Sequence, residues 1–306
     1  MIIGPPRSGT SLLGKALDRH PRLATWVEPY YIWEHHFRNA PDDQRSAEDA
    51  TYEVRRWIRR AFDQYRQALD VQLVVDKSPR NCLRIPFIKQ IFPEARYIFL
   101  WRDARDTILS IKRQWEGKKE IFENSDATKQ WHKRFEILKK WMVKRPGWRL
   151  KWQSLCYELG PPGNWLKGRL LNQIRWEGRF GWGPRFREWQ KLIEGMSPLE
   201  FGAYQWRACA EGLFDNLSSI QENKRFVLKY ENFITNPQAS LEAIFTFLDL
   251  EFPPGFMHTI PQIWADNCNK WPHELSSGNL KVIGPVIGKS LIELSYEKDL
   301  RWYDKL

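Results

Sequence analysis

Ile2-Ile3-Gly4-Pro5-Pro6-Arg7-Ser8-Gly9-Thr10-Ser11-Leu12-Leu13 decides the fold. Two β-branched residues run into a glycine loop, and the loop runs into a segment with Leu12, Leu13, Ala16 and Leu17 on one helical face. A clipped strand, a glycine turn and an amphipathic helix predict an anion-binding loop. At a helix N-terminus the backbone N–H groups point outward with no intrahelical partner, and glycine lets a ligand approach closely. Thr10 and Ser11 add hydroxyl donors in the first turn. The G-x-x-x-x-G spacing of Gly4 and Gly9 is that of nucleotide-triphosphate P-loops. The residue after Gly9 is Thr10, where those proteins carry lysine. A cation sits inside the loop instead, at Arg7, so the loop is built for phosphate and poorly built for ATP or GTP hydrolysis.

Outward from the loop, strand and helix signals alternate. Val71–Val75 reads as a strand, followed by a helix ending near Pro93. Tyr97–Trp101 reads as a third strand, followed by a helix carrying Thr107, Ile108 and Ile111. Arg225–Lys229 reads as a fourth, followed by a helix carrying Leu241, Ile244, Phe245 and Leu248. Residues Tyr52 to Leu69 read as a further helix. Short apolar runs between amphipathic helices predict an α/β fold of the P-loop nucleotide-kinase type, with a central parallel sheet flanked by helices. Residues 115–206 break the pattern. They are rich in Trp, Arg, Lys and Gly, with turns at Arg145-Pro146-Gly147, Gly160-Pro161-Pro162-Gly163 and Gly181-Trp182-Gly183-Pro184. This stretch is expected to be a helical cap inserted in a single domain spanning 1–306.

Composition narrows the class. The 306 residues are 42% hydrophobic and 28% charged, which fits a globular chain, and 48 Lys and Arg against 37 Asp and Glu give a net charge of +11. That charge points to an anionic partner. Cys82, Cys156, Cys209 and Cys268 are far apart, with no metal-ligand spacing, so no metal site is expected. No apolar run approaches the length of a membrane span, and no signal peptide is visible. A bacterial cytoplasmic location is therefore expected, with a Golgi luminal fragment as the alternative if an anchor is missing. Basic and aromatic residues together also describe a nucleic-acid surface. No nucleic-acid motif is present, and no such partner is expected.

A second anion signal lies at Leu100-Trp101-Arg102-Asp103-Ala104-Arg105-Asp106-Thr107-Ile108-Leu109-Ser110. Arg102 ends a strand, on the ligand side of a parallel sheet, and Ser110 lies two helical turns on. A doubly phosphorylated nucleotide needs a second site of this kind; a kinase or GTPase does not.

Together, Pro6-Arg7-Ser8-Gly9-Thr10-Ser11-Leu12-Leu13 and the Arg102…Ser110 pair resemble the sulfotransferases that use 3′-phosphoadenosine 5′-phosphosulfate (PAPS), in the branch that includes the tyrosylprotein and many bacterial sulfotransferases. The resemblance covers residues 1–114 and 225–250. It implies that Arg7, Ser8, Gly9, Thr10 and Ser11 hold the 5′-phosphosulfate and that Arg102 and Ser110 hold the 3′-phosphate. It further implies a catalytic base at Glu28, which lies 21 residues after Arg7 with His20-Pro21 between. Lys77, after the second strand, is implied to contact the leaving oxygen, with Asp76 as its neighbour. Tyr230, in Leu228-Lys229-Tyr230-Glu231-Asn232-Phe233, is implied to lie near the adenine. The basic, glycine-punctuated tail Asn279–Lys289 is expected to close the nucleotide site as a loop, with Lys281 and Lys289 as contacts. His35 and His36 are a rival pair of bases.

The implied activity is in-line transfer of a sulfuryl group from PAPS to a hydroxyl on a glycan, lipid, small molecule or peptide tyrosine, leaving PAP, with no metal. Carbohydrate or anionic acceptors suit the Trp-rich, basic surface. Two alternatives stand beside it: a P-loop ATP-dependent kinase, and a non-catalytic glycan- or nucleic-acid-binding protein on the same scaffold.

Overall fold

The computed structural model describes residues 1–37, 39–123, 175–176, 179–180 and 183–304. Five parallel strands form the central sheet: β1 (Ile2–Ile3), β2 (Leu23–Val27), β3 (Leu73–Lys77), β4 (Tyr97–Trp101) and a late strand, Arg225–Lys229, in the order β2-β3-β1-β4-late strand. The α/β class read from the sequence is the class observed. Alternation along β4 shows why its sequence is apolar throughout. Ile98 and Leu100 enter the cluster with Leu13, Val75 and Phe245, whereas Tyr97, Phe99 and Trp101 enter the cluster with Trp33, Phe87 and Trp206. Successive side chains of a strand point to opposite faces, and here helices cover both.

Helix α1 (Thr10–Leu17) follows β1. Helix α2 (Tyr30–Trp33) follows β2, and α3 (Tyr52–Ala68) precedes β3. Between β3 and β4 come a 3₁₀ turn at Pro79–Leu83 and α4 (Ile85–Ile91); α5 (Ala104–Glu123) follows β4. The short antiparallel pair β5 (Arg175–Trp176) and β6 (Arg179–Phe180) stands apart from the main sheet, so the late central strand is β7. Helix α6 (Trp189–Ile193) precedes α7 (Pro198–Leu217). Helices α8 (Tyr230–Thr235) and α9 (Pro237–Phe247) follow β7, and α10 (Trp271–Glu274), α11 (Ser277–Glu293) and α12 (Arg301–Asp304) end the described chain.

Four expectations differ in detail. Strand β2 was not legible: five residues after a turn gave too short a pattern, yet Leu23–Val27 pairs along its whole length with β3. Strand β3 runs to Lys77 rather than ending at Val75, because Val27 and Ile2 both pair at Lys77. The expected single helix before Pro93 is a 3₁₀ turn and a short helix. The tail Asn279–Lys289 is helical, not a loop. Ser276 and Asn279 form a reciprocal capping box at its start, and a Cβ on Gly284 would lie 2.4 Å from the Tyr303 ring, so this glycine serves helix packing. Lys281 and Lys289 are exposed, and neither lines the cleft described below.

Most of the stretch expected to be a cap, and six of its tryptophans, lies outside the described residues. Within the described part, Trp115, Trp189 and Trp206 are buried in the core beside the sheet. No helix among the described residues is long and apolar enough to cross a membrane.

Candidate active site

The strand order reverses at β1. The chain leaves β1 toward β2 on one side, and β4 lies on the other. Ligands of parallel α/β sheets bind at the carboxyl edge of such a switch point. Three segments meet there: the loop after β1, the end of β3 and the end of β4. They line a cleft of about 700 Å³, within the range of small-molecule sites.

The loop is shaped by its backbone. Gly9 has φ of 92°, and a Cβ there would lie 2.3 Å from the Tyr230 ring, so only glycine fits. Arg7 also has a positive φ, 66°. Gly9 caps α1 without any side-chain hydrogen bond, and the first turn holds no acidic residue. The outward N–H groups of that turn are left for an anion. Thr10 and Ser11 line the cleft. Ser8 does not. Its hydroxyl donates to the Pro5 carbonyl at 2.6 Å and its backbone N–H to the same oxygen at 3.3 Å, so Ser8 fixes the loop from beneath.

Arg7, Arg102 and Ser110, 103 residues apart at the extremes, meet. Arg7 Nε donates to Ser110 Oγ at 2.9 Å, and Arg102 Nη1 donates to the Arg7 carbonyl at 3.1 Å. Burial, and then the charge of Arg102, hold the Arg7 guanidinium below its ordinary pKa. Two guanidinium groups turned into one cleft repel each other, and Arg7 has no carboxylate partner among the described residues. Arg102 is buried, and its Nε has no hydrogen-bond partner. Such a donor costs free energy unless a ligand satisfies it.

In the same cleft, Glu28 and Lys77 form an ion pair, Nζ to Oε1 2.5 Å. Glu28 sits just beyond β2 with φ of 52°, a conformation uncommon for a residue other than glycine. Its N–H donates to the Lys77 carbonyl at 2.9 Å, and its own carbonyl accepts from Tyr30 N–H at 2.7 Å. The Lys77 side chain is buried, whereas that of Glu28 is 37% exposed. Asp76, adjacent on β3, points to the opposite face, where it accepts from Trp33 Nε1 at 2.5 Å; burial raises its pKa. His35 and His36 do not line the cleft, and His35 stacks on Trp57 at 3.9 Å.

Tyr230 departs from expectation. Although it borders the cleft, it is 2% exposed. Its ring lies against Gly9 on one edge and under the Arg102 guanidinium at 4.5 Å, and its hydroxyl accepts from Asn267 Nδ2 at 3.0 Å. A ring held this way has no free face for a base. The aromatic surface that is open belongs to Trp264, which lines the cleft and is 59% exposed. Gln262, Trp264, Asn267 and Lys270 form a wall that sequence reasoning missed, because nothing local in Pro261–Lys270 marks it. The only hint was the excess of tryptophan.

Among the described residues, no group of three or more His, Cys, Asp or Glu could hold a metal ion. Fold and cleft thus define a parallel α/β protein with a P-loop-like turn, two convergent arginines and no P-loop lysine. Residues 1–151 match the model of a sulfotransferase family, which supports the family resemblance read from the sequence. Nodulation protein NoeE of Sinorhizobium fredii (strain NBRC 101917 / NGR234) is 26% identical over 129 residues, 37% of this chain and 31% of the relative. Protein-tyrosine sulfotransferase A of Caenorhabditis elegans is 31% identical over 124 residues, 36% of this chain and 32% of the relative. The match thus spans about a third of the length of these relatives. The sulfotransferase domain from the curacin biosynthetic pathway superposes with a TM-score of 0.54 at 15% identity, covering 97% of this chain and 96% of that one, a likeness of fold.

Proposed function

We propose that the protein transfers the sulfuryl group of PAPS to a hydroxyl of an acceptor. The observation that carries this reading is the meeting of Arg7, Ser110 and Arg102 in one cleft, with an unsatisfied Arg102 Nε. Two anion sites fit a nucleotide with phosphate at both ends. The open α1 N-terminus, with Arg7, Gly9, Thr10 and Ser11, would hold the 5′-phosphosulfate. Arg102 and Ser110 would hold the 3′-phosphate, and Trp264 rather than Tyr230 would stack on the adenine.

The donor supplies an activated sulfuryl group. Glu28 removes the proton of the acceptor hydroxyl. As the new O–S bond forms, the S–O bond to the 5′-phosphate breaks, and Lys77 stabilises charge on the departing oxygen. The Lys77 ammonium holds Glu28 Oε1, while Oε2 carries no hydrogen bond among the described residues. Charge stabilisation of this kind is strongest where water is excluded. The acceptor class follows from hydroxyl chemistry alone: a glycan, lipid, small molecule or peptide tyrosine. A single domain containing the 115–206 insertion is part of the same proposal.

Titration calorimetry with PAP and ATP, each with and without EDTA, tests the donor. Tight PAP binding indifferent to EDTA is expected, and Trp264→Ala should weaken it by about 1–3 kcal/mol, the worth of one base–aromatic stack. Magnesium-dependent preference for ATP would replace this reading by the kinase one. An acceptor screen with labelled sulfate donor then separates an enzyme from a binding protein.

A further inference from the structure

Asp106 plays no part in the reaction proposed above, yet its side chain is only 1% exposed. Its carboxylate accepts three successive backbone N–H groups, from Asn269 at 2.5 Å and from Lys270 and Trp271 at 2.9 Å each. Those residues lie more than 160 positions away in the chain. Asn269 has a positive φ, 57°, so the strap turns sharply at the point where it is held. Charge-assisted bonds to a buried carboxylate are stronger than neutral ones.

The strap so anchored reaches the Arg102 site through Asn267. The Asn267 carbonyl accepts from Arg102 Nη2 at 3.0 Å, and Asn267 Oδ1 accepts from Lys270 Nζ at 2.9 Å. Asp106 Oδ2 itself lies 3.7 Å from Arg102 Nη2. One carboxylate therefore pairs with the guanidinium from α5 and also fixes the segment that brings a lysine to the same cleft.

We propose that Asp106 is a positioning residue for donor selectivity: by pinning Asn267–Trp271 beside Arg102, it sets the preference for a nucleotide carrying a 3′-phosphate, with Lys270 supplying the added charge. This rests on the PAPS reading above. An unanchored strap leaves Arg7 and the loop amides intact for a 5′-phosphate, but leaves the 3′ side with Arg102 and Ser110 alone.

The test compares PAP with adenosine 5′-monophosphate. In Asp106→Asn, PAP affinity is expected to fall about tenfold or more, the worth of a charge-assisted hydrogen bond, while the monophosphate changes by no more than about twofold. A purely structural role lowers melting temperature and both affinities together, leaving their ratio unchanged. If the wild-type protein fails to distinguish PAP from the monophosphate, the donor reading itself is wrong. If it distinguishes them and Asp106→Asn keeps the full ratio, Asp106 has no role in selectivity. Hydrogen exchange in the wild type decides the matter should the variant not fold. The amides of residues 269–271 should be slowed more by PAP than by the monophosphate, and equal slowing overturns the proposal.

Discussion

Glu28 is set between two requirements. Its backbone is held in a left-handed conformation by the Lys77 carbonyl and the Tyr30 N–H, and its carboxylate is held by the Lys77 ammonium. Strain of this kind, of order 1–3 kcal/mol, persists only where the surroundings over-determine it. Glu28→Gln preserves shape and removes the basic oxygen. Turnover is expected to drop by at least about 100-fold, the lower end for a general base, while calorimetric PAP binding stays unchanged. Wild-type turnover in this variant would remove Glu28 from the mechanism. The sequence offered Glu28 only through its distance from Arg7. That a backbone bond joins it to Lys77, 49 positions away, was not legible, because β2 left too faint a pattern.

Elements are tied together by an ion network behind the cleft. Asp43, fully buried, accepts from the Arg185 backbone N–H at 2.7 Å and from its guanidinium at 2.7 and 3.0 Å, and lies 3.3 Å from Arg80 Nε. Arg80 also pairs with Glu34 and covers the Tyr30 ring at 4.1 Å. The network thus joins the segment after Glu28, the 3₁₀ turn after Lys77 and the chain entering α6. Burial pushes the Asp43 carboxyl up, but Arg80 and Arg185 outweigh burial and hold it below its ordinary value. A carboxyl lowered in the folded state stabilises fully above its unfolded pKa of about 3.9, and that contribution is lost as pH falls through the lower folded value. Asp43→Asn should therefore cost about 3–5 kcal/mol near neutral pH, as expected when a buried pair loses one partner. In melting curves against pH, the gap between variant and wild type should narrow on acidification below about pH 4. A gap that stays constant down to pH 2 contradicts the assignment. None of these partners are neighbours in sequence, so no local pattern announces them.

For the whole molecule, a net charge of +11 raises the local concentration of anions, and two guanidiniums in one cleft make a part of it costly until an anion arrives. PAP at about 100 times its dissociation constant should stabilise the fold by about 2.7 kcal/mol, seen as a rise in melting temperature of a few degrees. The rise should shrink with added salt and be indifferent to EDTA. No shift at saturating PAP contradicts the proposed donor site.

The sequence by itself determined four of the five strands of the sheet, and its loop. Apolar runs such as Tyr97–Trp101, punctuated by glycine and alternating with amphipathic helices, have few ways to bury both faces. Gly4…Gly9 and Arg102…Ser110 carried their spacing in the local chain. Tertiary structure alone decided that Arg7 reaches Ser110, that Tyr230 is enclosed while Trp264 stays open, that Ser8 turns inward, and that Asp106 clasps a strap from the far end of the chain. Spacing along a helix or strand constrains only near neighbours; which distant side chains share a cleft depends on how the crossovers stack the strands, and no local pattern encodes that.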